Sequence, residues 1–194
     1  METPSIRQIA PTEQARAIAV EVMAFCADPV VRWCLPDPQK YIEDFARYVE
    51  AFMAPSFAHD TVDVAGDFAG IAFWLPAEVE VDFDAITEVS REVTVPSRRD
   101  ELESLWEQMD AYHPAEPHWY LAKIAVDPSC QSCGIGSALL LYRLRHCDAL
   151  GVPAYVESSN PANLSFYERH GFEPLGSIQA GSSPPIYPML RSPR

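Results

Sequence analysis

The stretch from His118 to Ser158 limits the fold more than any other part of the chain. His118 to Val126 (HWYLAKIAV) is rich in aromatic and β-branched residues and stops at Asp127-Pro128, which reads as a strand with a hard end. A loop containing Gly134 and Gly136 follows. From it, Ile135, Ala138, Leu139, Tyr142 and His146 recur at helical spacing. Gly151 is a natural helix terminator, Pro153 blocks re-entry, and Pro153 to Ser158 reads as a strand again. Strand, glycine loop, helix and strand in succession make this an α/β chain.

The flanks fit that class. Ser5 to Ala10 (SIRQIA) alternates enough for a short strand. Pro11-Thr12 caps a helix carrying Ala15, Ile18, Ala19, Val22 and Phe25 on one face. A second helix fits Gln39 to Met53 through Ile42, Phe45, Val49 and Phe52, and Ala58 to Leu75 reads as two strands around Gly66-Asp67. Residues 78–114 look like a helical insertion. Within it, Ser97-Arg98-Arg99-Asp100 resembles a capping box ahead of the stripe Leu102, Leu105, Trp106 and Met109. Pro161 to His170 is a further helix ending at Gly171, and Phe172 to Gln179 and Pro185 to Leu190 are two weaker strands. At 194 residues, with no repeat or low-complexity linker, the expectation is a single domain over residues 1–194.

Lys+Arg 14 against Asp+Glu 28 gives a net charge of −14, and Lys40 and Lys123 are the only lysines. No basic stripe exists to neutralise a phosphate backbone, so nucleic acid is not an expected partner. An acidic surface keeps a protein soluble and also favours the approach of a cationic molecule such as an amine. Hydrophobic runs are too short to span a bilayer and the N-terminus lacks the pattern of a secretory signal, so the expected location is cytoplasmic, without membrane attachment. The five cysteines, an odd number, are expected to be reduced thiols.

The loop Cys130 to Gly136 (CQSCGIG) offers two chemistries. Its sulfurs form C-x-x-C, a spacing used by redox dithiols and by half of a zinc site. A structural zinc needs four ligands, and no second C-x-x-C or H-x-x-x-H occurs, so no metal is expected. Its glycines instead suit an anion cradle. The first-turn N–H groups of a helix lack intrahelical partners, the helix dipole is positive there, and glycine lets a phosphate come close. A Walker loop is excluded because Gly-Lys-Ser/Thr is missing, and the dinucleotide fingerprint because it needs three glycines after an early strand.

Two segments, AVDPSCQSCGIGSALL (125–140) and NPANLSFYERHGF (160–172), resemble the two core motifs of the GNAT acetyltransferase superfamily. The likeness is greatest to its puromycin N-acetyltransferase-like branch, through EPHWYL before the loop and GVPAYVESS after the helix. The resemblance implies a mixed, mostly antiparallel twisted sheet of about seven strands flanked by helices. Its fourth and fifth strands would splay into a V, with acetyl-CoA in the gap as co-substrate. It places the pyrophosphate on the N–H groups of Gln131, Ser132, Cys133, Gly134, Ile135, Gly136 and Ser137. The backbone of Ile124, Ala125 and Val126 would bond the pantetheine arm and the thioester carbonyl, where a fixed N–H stabilises an oxyanion. Asn163 would bond the cofactor, while Asn160 holds its own loop.

The same resemblance makes Tyr167 the general acid that protonates the departing thiolate; the plainer reading is an aromatic anchor beside Phe166. An attacking amine must lose a proton, and Glu157, in the strand before the second motif, is the first candidate base, with His118 second. A solvated or ion-paired strand carboxylate is the alternative for Glu157, and a hydrogen-bonded structural residue for His118. His59, His113, His146 and His170 have no constellation around them. Trp74, Trp119 and Tyr120 would line an acceptor pocket or the core.

One departure stands out: the family loop usually runs Gln-Gly-basic-Gly, but here Ser132 replaces the glycine and Cys133 the cation. Binding should survive with a raised requirement for acetyl-CoA. The expected activity is transfer of acetyl from acetyl-CoA to an amine of a small molecule by direct attack in a ternary complex. A homodimer is compatible with the resemblance. The rivals are a non-catalytic acetyl-CoA-binding module on the same fold and a thiol or metal protein built on C-x-x-C.

Overall fold

The structure is a computed structural model that describes residues 4–79 and 83–194. Seven strands form one sheet in the order β1-β2-β3-β4-β5-β7-β6, with β1 Ile6–Gln8, β2 Val62–Ala65, β3 Gly70–Leu75, β4 Trp119–Val126, β5 Ala154–Ser158, β6 Glu173–Pro174 and β7 Tyr187–Arg191. Every pair is antiparallel except β4 and β5. Helix α1 (Gln14–Ala24), α2 (Pro29–Cys34) and α3 (Pro38–Ala58) come before β2, and α4 (Phe83–Val93) and α5 (Arg99–Tyr112) lie between β3 and β4. The β4–β5 crossover is α6 (Ile135–Leu150), and α7 (Leu164–Arg169) follows β5.

Strand alternation sorts the core into two layers. Val62, Val64, Ile71 and Phe73 face α1 and α3, packing with Ala17, Val20, Phe45, Val49 and Met53. Ala72 and Trp74 face the other way, with Leu121 and Val156, onto Leu139, Leu140 and Leu144 of α6. A smaller cluster joins α2 and the insertion to the C-terminal segment through Trp33, Leu102, Leu105, Ile178 and Ile186. The helix α6 is also pinned to β2 by a buried ion pair, in which Arg143 donates from Nε and Nη2 to the two carboxylate oxygens of Asp63 at 3.0 and 2.6 Å.

The expected splay is present. β4 and β5 pair in parallel at Trp119–Ala154, Tyr120–Tyr155 and Leu121–Val156, and the ladder stops there. Beyond that point β4 continues to Val126 bonded to β3 alone, with a register irregularity opposite Phe73/Trp74 that leaves Ala122 outside the pairing.

Several local expectations are corrected. Ser97 does not cap α5: it lies inside a 3-10 turn opened by Pro96, and Arg98 takes the cap position without a side-chain bond. Tyr142 is 41% exposed, so the buried stripe of α6 runs through Leu139, Leu140, Leu144 and Cys147 instead. The second helix continues to Ala58, and the strand expected over 172–179 shrinks to Glu173–Pro174 plus an isolated bridge at Ile178. The short helix α2 was not anticipated. Among the described residues, no helix is long and apolar enough to cross a membrane.

Candidate active site

The loop after β4 is built to present backbone N–H groups. Asp127 accepts from the Ser129 N–H at 2.8 Å and the Ser129 hydroxyl at 2.6 Å, folding the chain back after the strand. Gly134 takes φ +81°, a left-handed conformation in which a side chain is strained, and so turns the chain into α6. Ala138 is the first residue to close a helical bond, to the Gly134 carbonyl at 3.0 Å. The N–H groups ahead of it therefore point out of the helix start, where the dipole is positive. Gly136 faces the ring of Phe166 and the side chain of Val126. Ser132 holds φ +60°, the left-handed region that glycine takes without strain, which gives the missing loop glycine a physical cost of about 1 kcal/mol.

Gln131, Ser132, Cys133 and Gly134 are exposed, Ile135 is buried, and Gly136 and Ser137 are half-buried. Ile124, Ala125 and Val126 lie on β4 past the end of its pairing with β5, with their unpaired edge toward the splay. This donor set fits acetyl-CoA: backbone N–H groups for the pyrophosphate and a free strand edge for the pantetheine amides. Asn163 is exposed just before α7, and Asn160 bonds the Ala162 N–H at 3.0 Å, holding its own turn. All five cysteines are free thiols. Among the described residues, no group of His, Cys, Asp and Glu could hold a metal ion.

A cleft opens at the splay, lined from its two strands by Tyr120, Ala122, Lys123 and Glu157. Its apolar wall includes Phe45, Tyr48, Phe52, Val93, Leu105 and Trp106, and its charged groups are Asp28, Lys123 and Glu157. The walls come from α2, α3, α4 and α5, so the insertion closes the cleft over the sheet.

Glu157 is the chemical centre of this cleft. Tyr120 donates to its Oε2 at 2.8 Å and Tyr155 to its Oε1 at 2.9 Å. The parallel register sets Tyr120 beside Tyr155, and strand period puts Tyr155 and Glu157 on one face, so both phenols converge on the carboxylate. Burial raises the Glu157 pKa to about 7, against the lowering effect of the two phenols and of Lys123. Burial and the neighbouring carboxylate push both tyrosines well above their usual range, so they remain donors.

Tyr167 is 5% exposed, with its ring against Phe166 and Phe172 at 5.1 and 5.8 Å. Burial, with a smaller effect of the cleft-lining Asp28, raises its pKa and keeps the phenol protonated. Asp28 caps α2 by accepting from the Val30 and Val31 N–H groups at 3.0 Å each, and Ser159, just past β5, donates to its other oxygen at 2.6 Å.

His118 is not part of the cleft. Its Nδ1 bonds the Glu116 carbonyl at 2.8 Å and its Nε2 lies 3.0 Å from Nε2 of His113, which corrects the expectation that His113 stands alone. Burial, then the nearby His118, lowers the His113 pKa to about 4, so that ring is neutral. Trp74 and Trp119 pack edge to face in the core, and of the three aromatics only Tyr120 reaches the cleft. Sequence reasoning missed Tyr155, Lys123 and Asp28. The i, i+2 spacing of Tyr155 and Glu157 was a usable signal, and so was a lysine within an apolar strand.

The acetyltransferase (GNAT) family model matches residues 97–172, which span α5, β4, the loop, α6, β5 and α7. A mycothiol acetyltransferase of Streptomyces avermitilis is 44% identical over 52 residues, 25% of this chain but only 17% of its own length. The chain thus spans less than a fifth of that relative. An uncharacterised N-acetyltransferase of Schizosaccharomyces pombe is 26% identical over 204 residues, covering 96% of this chain and 83% of its own. Among solved structures, a Corynebacterium glutamicum protein described as histone acetyltransferase HPA2 and related acetyltransferase superposes with TM-score 0.71 and 23% identity, over 100% of this chain and 98% of its own. Arylalkylamine N-acetyltransferase 2 of Aedes aegypti superposes with TM-score 0.66 and 11% identity over 100% of both chains, a likeness of fold alone.

Proposed function

We propose that this chain is a GNAT-type acetyltransferase, a reading supported by the family model over residues 97–172, and that it transfers acetyl from acetyl-CoA to an amine of a small molecule by direct attack in a ternary complex. The carrying observation is Glu157, a cleft carboxylate at the mouth of the splay, bonded by two phenols and raised by burial to a pKa of about 7. A carboxylate in that range takes a proton from an incoming ammonium near neutral pH far better than an ordinary exposed one.

The roles divide along the splay. The N–H groups of residues 131–137 hold the pyrophosphate, with Asn163 nearby, and the free edge at Ile124–Val126 holds the pantetheine arm and the thioester carbonyl. Glu157 accepts the proton of the acceptor amine, which frees its lone pair for the thioester carbon. A backbone N–H of the β4 edge stabilises the oxyanion that develops there. Tyr167, held protonated, gives its proton to the departing thiolate and is recharged from solvent. Cys130 and Cys133 take no part in bond making. One unit over residues 1–194, resident in the cytoplasm, completes the reading. The likeness to puromycin N-acetyltransferases brings aminonucleosides into the acceptor range alongside simpler amines.

The test is release of CoA thiol from acetyl-CoA across an amine library that includes antibiotics, with Tyr167→Phe and a Cys130→Ser/Cys133→Ser double variant. The double variant should turn over like wild type, whereas Tyr167→Phe should lose roughly a hundredfold. Tight acetyl-CoA binding without thiol release for any amine would make the chain a non-catalytic binding module. An acetyl group trapped on Cys130 or Cys133 would replace direct transfer with an acyl-enzyme.

A further inference from the structure

The charged groups of the cleft are not equally committed. Asp28 spends one oxygen on two helix N–H groups and the other on Ser159. Each oxygen of Glu157 already accepts from a phenol. Lys123 differs: among the described residues no hydrogen bond or ion pair reaches its ammonium, which lies over the ring faces of Phe25 and Phe52 at 5.2 and 5.3 Å. Ring faces hold an ammonium in place but supply no lone pair to its N–H donors.

Lys123 is also well placed. It sits on β4 two residues past Leu121, the last to pair with β5, and Glu157 is the residue after Val156, Leu121's partner. Regular alternation would turn Lys123 to the face of Leu121, away from Glu157, but the irregularity at Ala122 sets Lys123 opposite Phe73 on the cleft face, so both residues line the cleft at the opening of the splay. The other carboxylate that Lys123 influences is Glu21 of α1, which is fully enclosed with both oxygens unpartnered. Burial raises its pKa to about 7, so below that pH its neutral form leaves the ammonium uncancelled. Around these groups the wall is apolar and aromatic.

We propose that Lys123 is the anion-binding residue of the acceptor subsite and that the acceptor is an amino acid with an apolar side chain. Its amine lies at Glu157, its carboxylate on the Lys123 ammonium, and its side chain against Phe45, Tyr48, Phe52 and Trp106. This rests on the acetyl-transfer reading above and narrows its substrate class. An amine lacking the carboxylate leaves the ammonium unpaired in a largely apolar cleft, which is the kind of mismatch that discriminates strongly.

The experiment compares phenylalanine, phenylalaninamide and phenethylamine, and likewise leucine with its amide and its decarboxylated amine, as acceptors for acetyl-CoA. For wild type, kcat/KM should favour the free acid over the amine by about ten- to a hundredfold. In Lys123→Met, which keeps the aliphatic stem, that ratio should collapse toward unity, and Lys123→Arg should retain most of it. A wild-type preference for the amine, or a ratio unchanged in Lys123→Met, would overturn the assignment. If none of these acceptors releases thiol, acetyl transfer to them fails as a reading, and calorimetric titration of phenylalanine and leucine still decides the subsite. Binding that Lys123→Met abolishes supports it; no binding, or binding indifferent to the substitution, refutes it.

Discussion

The two faces of the sheet bury charge in opposite ways. On the α6 side, Asp63 is paired bidentately with Arg143, and both partners are satisfied. On the cleft side, Glu21 is enclosed without a partner among the described residues, and Glu157 is held by phenols rather than by a cation. Burial raises the pKa of all three carboxyls, Asp63 to about 6 against the pull of Arg143 and Glu21 and Glu157 to about 7, but the paired Asp63 is locked into the scaffold whereas the carboxyls without a cation titrate near neutral pH. On the proposed reading, the cofactor side would work through backbone held at a helix start, and the cleft side through side chains whose protonation matters.

Breaking the two sides should give effects of opposite sign. Arg143→Met strands the Asp63 carboxylate in the core and should cost roughly 3–5 kcal/mol of stability, read by denaturant unfolding. Glu21→Gln should act the other way, through pH. Burial raises the folded-state pKa of Glu21 from 4.5 to about 7, with Lys123 pulling it back and Tyr41 and Tyr48 close enough to feel its charge. Below pH 4.5 both folded and unfolded states hold the proton, and stability is lost as pH rises from there through 7. The variant should therefore gain on wild type across that window, by an amount approaching about 3 kcal/mol above pH 7. Equal pH dependence in the two proteins would show that Glu21 is not the unpaired acid described.

Smaller effects sharpen the contrast. Tyr155→Phe removes a donor that favours the Glu157 carboxylate, so the base should become harder to ionise and the rising limb of the pH–rate profile should move to higher pH. Cys133→Lys restores a cation beside an anionic cofactor at an exposed position, and acetyl-CoA should bind a few-fold more tightly. Unchanged affinity would mean that the backbone N–H groups carry the phosphate by themselves.

What could be read from the sequence follows the same divide. The β4–loop–α6–β5 unit was legible because it is written in local chemistry: Pro128 ends the strand, Gly134 needs a positive φ, and Gly151 with Pro153 stops the helix. The cleft was mostly illegible because its chemistry depends on tertiary register. Tyr120 and Tyr155 lie far apart in the chain and meet only through the parallel pairing of β4 and β5. The six residues of α2 are too few to show a helical period, and Ser97 looked like a cap until Pro96 wound it into a 3-10 turn. Glu157 was singled out by its place ahead of the second motif, but nothing in its neighbours along the chain indicated a pKa near 7.

The most direct measurement is the pH dependence of kcat/KM for wild type and Glu157→Gln with one accepted amine, across roughly pH 5.5–9.5. Wild type should rise with unit slope and bend near 7, the pKa of the buried carboxyl. Glu157→Gln should be slower by about a hundredfold or more at neutral pH and should follow only the ionisation of the free amine. A bend near 7 that survives in Glu157→Gln, or a substitution without effect on rate, would contradict Glu157 as the base.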